Sequence, residues 1–278
     1  MLRLIPDEAA LLIRSPGARV LVVADLHLGF ERELLASGIR LPSQTGRVLG
    51  RIEELAARYK STRIVLLGDV KHTTVEIAPQ EYREIPDFLK ALRALGEVTI
   101  VPGNHDGDIM ELVPRGVEVA PARGILVEDG RRKIALLHGH AWPEAPALAA
   151  DALVFGHTHP TVEFREPSGL RMVEPAWVFA RWERRKIAAA YLRFRGIDDE
   201  GDPLVAFQRA YGQGVKSPRI IIMPAFNRLL GGMAMNAGEG AMLGPIFSSG
   251  AVDMERAELY LLDGTYLGPL GKLKAARG

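Results

Sequence analysis

Short apolar runs recur along the first 160 positions of the chain, and polar residues follow each run at once. The runs are rich in β-branched residues, which favours strands that are buried on both faces. They lie at residues 20–24, 64–67, 98–101, 134–137 and 153–155. Because open α/β sheets build their sites at the carboxyl ends of such strands, we expect the polar residues that follow them to converge.

The hydrophobic period changes between the first three strands. Residues 48–59 and 85–95 repeat apolar side chains every three or four positions, which predicts amphipathic helices, and Gly96 is expected to end the second. After Gly107 short strands dominate. Alternating strands and helices followed by further strands predict an α/β fold of two packed mixed sheets flanked by helices.

The chain beyond about residue 174 has a weaker pattern. Residues 187–193, 219–223 and 257–262 are expected to form strands. Residues 231–250 hold six glycines among Met, Ala and Leu, and we interpret them as a long loop, with a mobile lid as the alternative. No linker marks a boundary, so residues 1–278 are expected to form a single domain, with residues 175–278 packed on the same core.

All histidines of the chain lie in five blocks that directly follow the predicted strands. The blocks mix imidazole with carboxylate and amide groups, which together are ligands for divalent metal ions. Two such ions, about 3.5–4 Å apart, are the usual means of attack on phosphorus. The blocks are Asp25-Leu26-His27, Gly68-Asp69-Val70-Lys71-His72, Gly103-Asn104-His105-Asp106, His138-Gly139-His140 and Gly156-His157-Thr158-His159.

Composition narrows the chemistry of this predicted two-metal phosphoesterase. The chain has no cysteine, so every metal ligand has to be nitrogen or oxygen. A formal charge of +1 excludes a strongly basic coat for nucleic acid. No apolar run approaches the roughly 20 residues of a membrane span, and the first residues do not resemble a signal peptide. We therefore expect a cytoplasmic protein that does not contact a membrane.

The spacing of the blocks suggests a role for each side chain. Asp69 is the natural bridge between two ions, with Asp25 and His27 on one ion and Asn104 and His138 on the other. His157 and His159 are two residues apart and could reach one ion each. A hydroxide between the ions would attack the phosphorus. The predicted catalytic residues are His105, which would protonate the leaving oxygen, and Asp106, which would orient His105.

In order along the chain, the blocks D-x-H, G-D, G-N-H-D, H and G-H-x-H resemble those of the calcineurin-like metallophosphoesterases, over residues 25–159. The resemblance implies a four-layer α/β/β/α sandwich and two divalent ions, with Mn²⁺ foremost and Fe²⁺ or Zn²⁺ as alternatives. It implies one ion at Asp25, His27 and His159, and a second at Asn104, His138 and His157, bridged by Asp69. It also implies that His105 contacts the phosphate.

A finer resemblance concerns the G-D-V-K-H block and the Met-Pro-Ala-Phe-Asn segment that ends at Asn227. These look like an archaeal branch of phosphoesterases similar to bacterial enzymes found with DNA ligases or helicases, which implies a helicase or ligase partner. His72 matches a histidine that faces substrate in nucleases of double-strand break repair. We accordingly predict substrate contacts for His72 and also for His140, which lies beside His138 in sequence.

The expected substrate is a phosphodiester of nucleic acid or nucleotides. The alternatives are a phosphomonoesterase, a cyclic-nucleotide phosphodiesterase, or a non-catalytic protein-binding scaffold with the same fold. Residues 181–186 cluster charges around Trp182 and could bind a nucleic-acid backbone, or form a solvated surface turn.

Overall fold

The computed structural model describes residues 2–166, 168–198, 201–237 and 242–275. Two β sheets pack face to face in it, and helices cover both outer faces. The prediction of a four-layer α/β/β/α sandwich with two mixed sheets is therefore confirmed.

The first sheet has the order β1-β2-β3-β4-β5-β6. Strands β3 to β6 run parallel, whereas β1, β2 and β3 are antiparallel neighbours. The strands are β1 (Leu2–Leu4), β2 (Ala10–Ser15), β3 (Ala18–Ala24), β4 (Arg63–Leu67), β5 (Glu97–Val101) and β6 (Val117–Val119). The intervening helices are α1 (Glu31–Ala36), α2 (Thr45–Tyr59), α3 (Pro79–Leu95) and a 3₁₀ turn at Ile109–Glu111.

The second sheet has the order β13-β10-β11-β12-β9-β8-β7, and β14 joins it by pairing with β11 and β15. Its central strands β8, β9 and β12 are parallel. The strands are β7 (Ile125–Asp129), β8 (Arg132–Leu137), β9 (Ala152–Phe155), β10 (Pro160–Arg165), β11 (Arg171–Ala180), β12 (Arg219–Ile222), β13 (Met233–Ala234), β14 (Glu258–Leu261) and β15 (Tyr266–Pro269). The helices are α4 (Ala145–Leu148), α5 (Arg184–Phe194), α6 (Pro203–Tyr211), α7 (Pro245–Ser248) and α8 (Leu270–Ala275).

Strand β3 shows why the sheets are buried on both faces. Its side chains alternate, so that Leu21 and Val23 pack under α2 and α3, whereas Val20 and Val22 face the second sheet. The inner core includes Trp177 of β11, and a third core lies between the second sheet and α5 and α6. Strands that are buried on both faces have continuous apolar sequences. This explains why β3, β4, β5, β8 and β9 were predictable.

Two expectations about the C-terminal part need correction. Residues 187–193, expected as a strand, lie in helix α5, where Ile187, Ala188 and Tyr191 are buried on one face. Three consecutive alanines favour a helix there, and this propensity outweighs the apolar run. Residues 231–250 contain β13 and α7 rather than one plain loop, while positions 238–241 of this stretch lie outside the described residues.

Across the described residues, helices are too short or too polar to cross a membrane.

Candidate metal centre

The ends of five parallel strands from both sheets meet at one edge of the sandwich. On the first sheet, the loops after β3 and β4 are joined by hydrogen bonds from Asp25 N to Gly68 O, 3.2 Å, and from His27 N to Asp69 O, 2.8 Å. The two sheets also contact each other here, because the backbone N–H of His157 donates to the carboxylate of Asp25 at 3.1 Å. Polar residues more than 130 positions apart in sequence thereby become neighbours.

A first group of possible ligands consists of Asp25, His27 and His159. One ligand atom from each lies within 4.8 Å of the others. The Nε2 atoms of both histidines are buried and have no partner in hydrogen-bond geometry among the described residues. Each instead lies 3.4 Å from a carboxylate oxygen, of Asp69 for His27 and of Asp25 for His159. These buried imidazole nitrogens face carboxylate oxygens but make no hydrogen bond to them. Such an arrangement fits a site for a divalent cation.

A second group consists of Asp69, His138 and His157, whose ligand atoms also lie within 4.8 Å of one another. The Nε2 of His138 lies 3.3 Å from Asp69 Oδ2 and 3.2 Å from Asn104 Oδ1. Its Nδ1 lies 3.5 Å from Asp25 Oδ1, so His138 connects the two groups. The structure thus brings together all seven predicted ligands, which we call the candidate metal centre.

The glycines of the blocks make room for ligands from other blocks. A Cβ at Gly68 would lie 1.9 Å from His138 Nδ1, one at Gly103 would lie 2.1 Å from Asp69 Oδ1, and one at Gly156 would lie 2.8 Å from Asp25 Oδ2. Any side chain at these positions would displace a ligand. The close approach explains the glycine before Asp69, Asn104 and His157 in the sequence.

Backbone strain is also concentrated at this edge. Most non-glycine residues with positive φ among the described positions are possible ligands, and such conformations are uncommon for L-residues. Their φ angles are 56° at Asp25, 41° at His27, 45° at Asp69, 72° at His157 and 42° at His159. The backbone conformation of the turns that direct these side chains inward is unfavourable by itself, and the surrounding structure stabilises it.

Burial and charge set the protonation of the histidines. Burial lowers the pKa of His27 to about 3 and that of His157 to about 4, despite nearby carboxylates. Burial also acts to lower the pKa of His138, but its hydrogen bond to Asp69 and the charges of Asp25 and Asp69 raise that pKa to about 9. Burial opposes ionisation of Asp69, yet the interactions with His138 keep the pKa of Asp69 below its usual range.

His105 lies at the rim of the centre. Its Nδ1 makes a hydrogen bond to the backbone carbonyl of His72, and since a carbonyl only accepts, this nitrogen carries the hydrogen. The Nε2 of His105 faces the centre, 4.0 Å from Asp69 Oδ2. The ring is therefore fixed with one nitrogen free for exchange of a proton.

The predicted role of Asp106 needs correction. The Asp106 carboxylate is buried and accepts hydrogen bonds from the backbone N–H groups of Val70, Lys71 and Gly103. The carbonyl of His72, rather than Asp106, orients His105. Asp106 ties the loop after β4 to the loop after β5, so it supports the positions of Asp69 and Asn104 through the backbone.

His72 lies against a predicted ligand. Its Nε2 is 2.8 Å from Glu33 Oε2 and its Nδ1 is 3.3 Å from His27 Nδ1. In a neutral His72, the nitrogen beside the carboxylate carries the hydrogen, so the other nitrogen accepts from His27 Nδ1. That tautomer leaves His27 Nε2 with its lone pair towards the centre. The substrate contact predicted for His72 stays a prediction.

The sequence patterns did not predict that two glutamates lie near the centre. Glu33 is the partner of His72, and Glu81 is buried with Oε1 accepting from the backbone N–H groups of His72 and Thr73. Glu81 also accepts from Ala78 N at the start of α3, as a glutamate does in a capping box. Its position three residues after the N-cap residue Ala78 was the available signal.

His140 and Asn227 lie beside the centre in different ways. The ring of His140 is 5.3 Å from that of His138 and 6.3 Å from that of His157, and burial lowers its pKa. Its substrate contact stays a prediction. Asn227 is buried, and its side chain donates to the carbonyl of Leu26 at 2.9 Å. Asn227 therefore holds the loop that carries Asp25 and His27.

The charged cluster at residues 181–186 is far from the centre. It follows β11, whose last residue Ala180 pairs with Ile220 near the start of β12, whereas Ile222 pairs with Phe155 at the site edge. Trp182 is buried and donates to the carbonyl of Lys216 at 2.7 Å. The indole is unavailable for stacking on bases. Because the cluster follows the end of β11 that pairs with the start of β12, it does not border the predicted active site.

A comparison with protein-family models shows the family of this chain. The model of the calcineurin-like phosphoesterase superfamily domain matches residues 19–195, and the chain belongs to this superfamily. No curated protein matches the chain at a significant level.

The solved structures that match the chain share little sequence with it. Nuclease MPE from Pseudomonas putida is 21% identical with a TM-score of 0.48, and the match covers 96% of this chain and 100% of that one. The E. coli phosphoesterase YfcE is 20% identical with a TM-score of 0.34, over 53% and 73% of the two chains. Vacuolar protein sorting 29 from Cryptosporidium parvum is 21% identical with a TM-score of 0.30, over 57% and 82%.

Proposed function

We propose that this protein is a phosphodiesterase that depends on two divalent metal ions, Mn²⁺ foremost, and acts on phosphodiesters of nucleotides or nucleic acid. One observation carries the proposal. Of three groups of possible ligands among the described residues, each with ligand atoms within 4.8 Å of one another, the two that contain a carboxylate lie next to each other and share contacts through His138, whereas the third, His27, His72 and His105, contains only imidazoles. A single group would serve one ion, whereas two adjacent groups suit the pair of ions used for attack on phosphorus.

The donors fit such ions. Imidazole, carboxylate and amide groups suit Mn²⁺, Fe²⁺ and Zn²⁺, and the chain has no thiol to offer. We assign Asp25, His27 and His159 to one ion, Asn104, His138 and His157 to the other, and Asp69 to both. When bound, two ions supply positive charge that stabilises the phosphate in the transition state, and they lower the pKa of water to about 7.

The residues of the chain then have separate tasks. Asp25 is held by the N–H of His157, and Asp69 Oδ1 accepts from the N–H of His105 at 2.9 Å, so both carboxylates are fixed before substrate arrives. His105, protonated on Nε2, donates a proton to the leaving oxygen, while the carbonyl of His72 keeps its ring in place.

We propose a diester rather than a monoester as the substrate because two openings lie beside the centre. A shallow surface groove lined by Thr74, Val75 and Pro79 lies beside His105, and a deeper cleft lies beside His159. A diester carries an organic group on each side of the phosphorus, and both groups find room here. An association with a ligase or helicase stays a prediction.

The test starts from protein stripped of metal by chelation. Calorimetric titration with Mn²⁺ is expected to give two ions per chain. The loaded protein is expected to hydrolyse bis-p-nitrophenyl phosphate with a higher kcat/KM than p-nitrophenyl phosphate, and DNA and RNA strands serve as further substrates. Asp69→Asn is the control and should lose turnover. Loaded wild-type protein that hydrolyses none of these esters would refute the proposal.

A further inference from the structure

A cleft of about 840 Å³ opens beside His159, and we call it the His159 cleft. Its volume is in the range of about 300–1,000 Å³ that is typical of small-molecule sites. Its lining includes Asn227 and residues 228–232, residues 261–263, and the carboxylates of Asp7 and Glu174. Most of these positions lie outside residues 19–195, the part that matches the superfamily. The cleft is thus built mainly by segments outside the part of the chain that matches the superfamily.

The His159 cleft and the groove beside His105 are separate openings that share no lining residue, and His27 lies next to both histidines. The ring of His27 is 4.7 Å from that of His105 and 5.2 Å from that of His159. In the proposed function His105 protonates the leaving group, so the leaving group departs on the side of His105. The separate cleft at His159 is therefore available to the group that stays attached to phosphorus.

Resting on the proposed function, we infer that the His159 cleft binds the retained organic group of the substrate, and that this group is a nucleoside without a further phosphate. Leu229, Leu230 and Leu262 offer apolar surface for a base, and Asp7, Glu174 and Asp263 offer carboxylates to hydroxyl and amino groups.

The charge of the cleft opposes a second phosphate. Arg228 is the cation among its lining residues, and its guanidinium donates to the carbonyl of Asp7 at 3.0 Å and lies 3.5 Å from Glu8 Oε1. The carboxylates of Asp7, Glu174 and Asp263 outnumber it. A polyanionic strand that extended into this cleft would meet like charge, whereas a terminal nucleoside would not.

The lining segment that contains Gly231 is held firmly against the centre. Met233 N donates to His159 O at 3.0 Å, and Leu229 N donates to Asn227 Oδ1 at 3.0 Å. Gly232 packs so closely that a Cβ there would lie 2.1 Å from His159 O, but a Cβ at Gly231 would meet nothing within 4 Å. Gly231 is therefore a lining position of the cleft that can carry a larger side chain without displacing the backbone.

The experiment varies the retained group while p-nitrophenolate remains the leaving group. The esters are methyl p-nitrophenyl phosphate, thymidine 5′-(p-nitrophenyl phosphate), and the latter compound with an added 3′-phosphate. With Mn²⁺-loaded wild-type protein, the thymidine ester is expected to have a KM at least about 10-fold below that of the methyl ester. The added 3′-phosphate should remove most of this advantage.

Gly231→Phe should bring the KM of the thymidine ester close to that of the methyl ester, because the new ring occupies the cleft. Gly50→Phe is the matched control, since a Cβ at Gly50 on the exposed side of α2 also meets nothing within 4 Å. If the KM values of the two esters are equal in wild-type protein, or keep their ratio in Gly231→Phe, the inference is wrong while the phosphodiesterase stands.

A binding measurement covers the case in which no ester is hydrolysed, which would refute the proposed function instead. Calorimetric titration of Mn²⁺-loaded protein with thymidine 5′-(methyl phosphate) is expected to show binding that Gly231→Phe weakens at least about 10-fold and Gly50→Phe leaves intact. Equal affinity for wild type and Gly231→Phe would overturn the assignment of the cleft.

Discussion

Replacing Gly68 by alanine tests whether a glycine makes room for a metal ligand. Gly68 has a φ of +82°, and an added Cβ would lie 1.9 Å from His138 Nδ1 and 2.3 Å from His138 Cγ. Cβ contacts below 3.0 Å are essentially never seen, so the two groups have to separate by about 1.1 Å, the difference between 3.0 and 1.9 Å. His138 is fully buried and cannot move aside freely.

The magnitude has two parts. Alanine in the left-handed region costs about 1–2 kcal/mol, and forcing an additional carbon into a packed interior costs about 1–3 kcal/mol. Gly17→Ala isolates the first part, because Gly17 has a φ of +74° and a Cβ there meets nothing within 4 Å. The excess loss of stability in Gly68→Ala over Gly17→Ala is therefore the steric effect on His138.

Function should respond more strongly than stability. A shift of about 1 Å in a catalytic group can lower the rate by about 100-fold, and His138 is also predicted to bind one of the two ions. We expect Gly68→Ala to retain one Mn²⁺ per chain and to lose at least about 100-fold in kcat/KM. Metal content by mass spectrometry, thermal unfolding and hydrolysis of bis-p-nitrophenyl phosphate measure these effects. A Gly68→Ala protein that equals Gly17→Ala in both metal content and activity would refute the packing argument.

Three further predictions concern other parts of the centre. His105→Ala should keep both ions in a calorimetric titration while kcat falls by about 100-fold or more; loss of an ion would contradict the role in proton transfer. Asn227→Ala removes a buried hydrogen bond to Leu26 O and should cost about 1–3 kcal/mol in chemical unfolding, whereas an unchanged midpoint would show that Asn227 does not hold the loop. The folded-state pKa of His138, about 9, exceeds its ordinary value of 6.5. Protonated His138 therefore stabilises the folded state fully below pH 6.5, and this stabilisation disappears as the pH rises through 9. Thermal unfolding of chelated protein should show this loss, worth up to about 3 kcal/mol, in wild type but not in His138→Gln; an equal decline in both would exclude His138 as its source.

The positions of the possible ligands were predictable because each one follows a strand with a recognisable apolar pattern. A buried parallel strand is apolar on both faces, and the first polar residue after it marks the site edge, as at Asp25 after β3 and His157 after β9. The helices α2 and α3 were also predictable, because the spacing of their apolar residues is a local feature of the sequence. Helix α5 was not, because residues 187–192 form a continuous apolar stretch that fits a buried strand as well as a helix.

The partners of Asp106 and His72 could not be obtained from local pattern. Asp106 is adjacent to His105 in sequence, yet its carboxylate turns to the N–H groups of Val70 and Lys71 from a different loop. His72 faces Glu33, a residue on α1 with no motif of its own. Such contacts depend on how separate loops are placed beside one another.

The amino-acid sequence by itself determined which donor groups are available, their order along the chain and the strand ends on which they stand, since these follow from residue type and short-range hydrophobic period. Only the tertiary structure decided which donors share a neighbourhood, which histidine nitrogen faces the centre, and that Asn227 and Gly231 complete a cleft beside His159. The physical reason is that sheet order and packing bring together segments separated by tens to hundreds of residues, and the resulting steric and hydrogen-bond partners are absent from any local stretch of the chain.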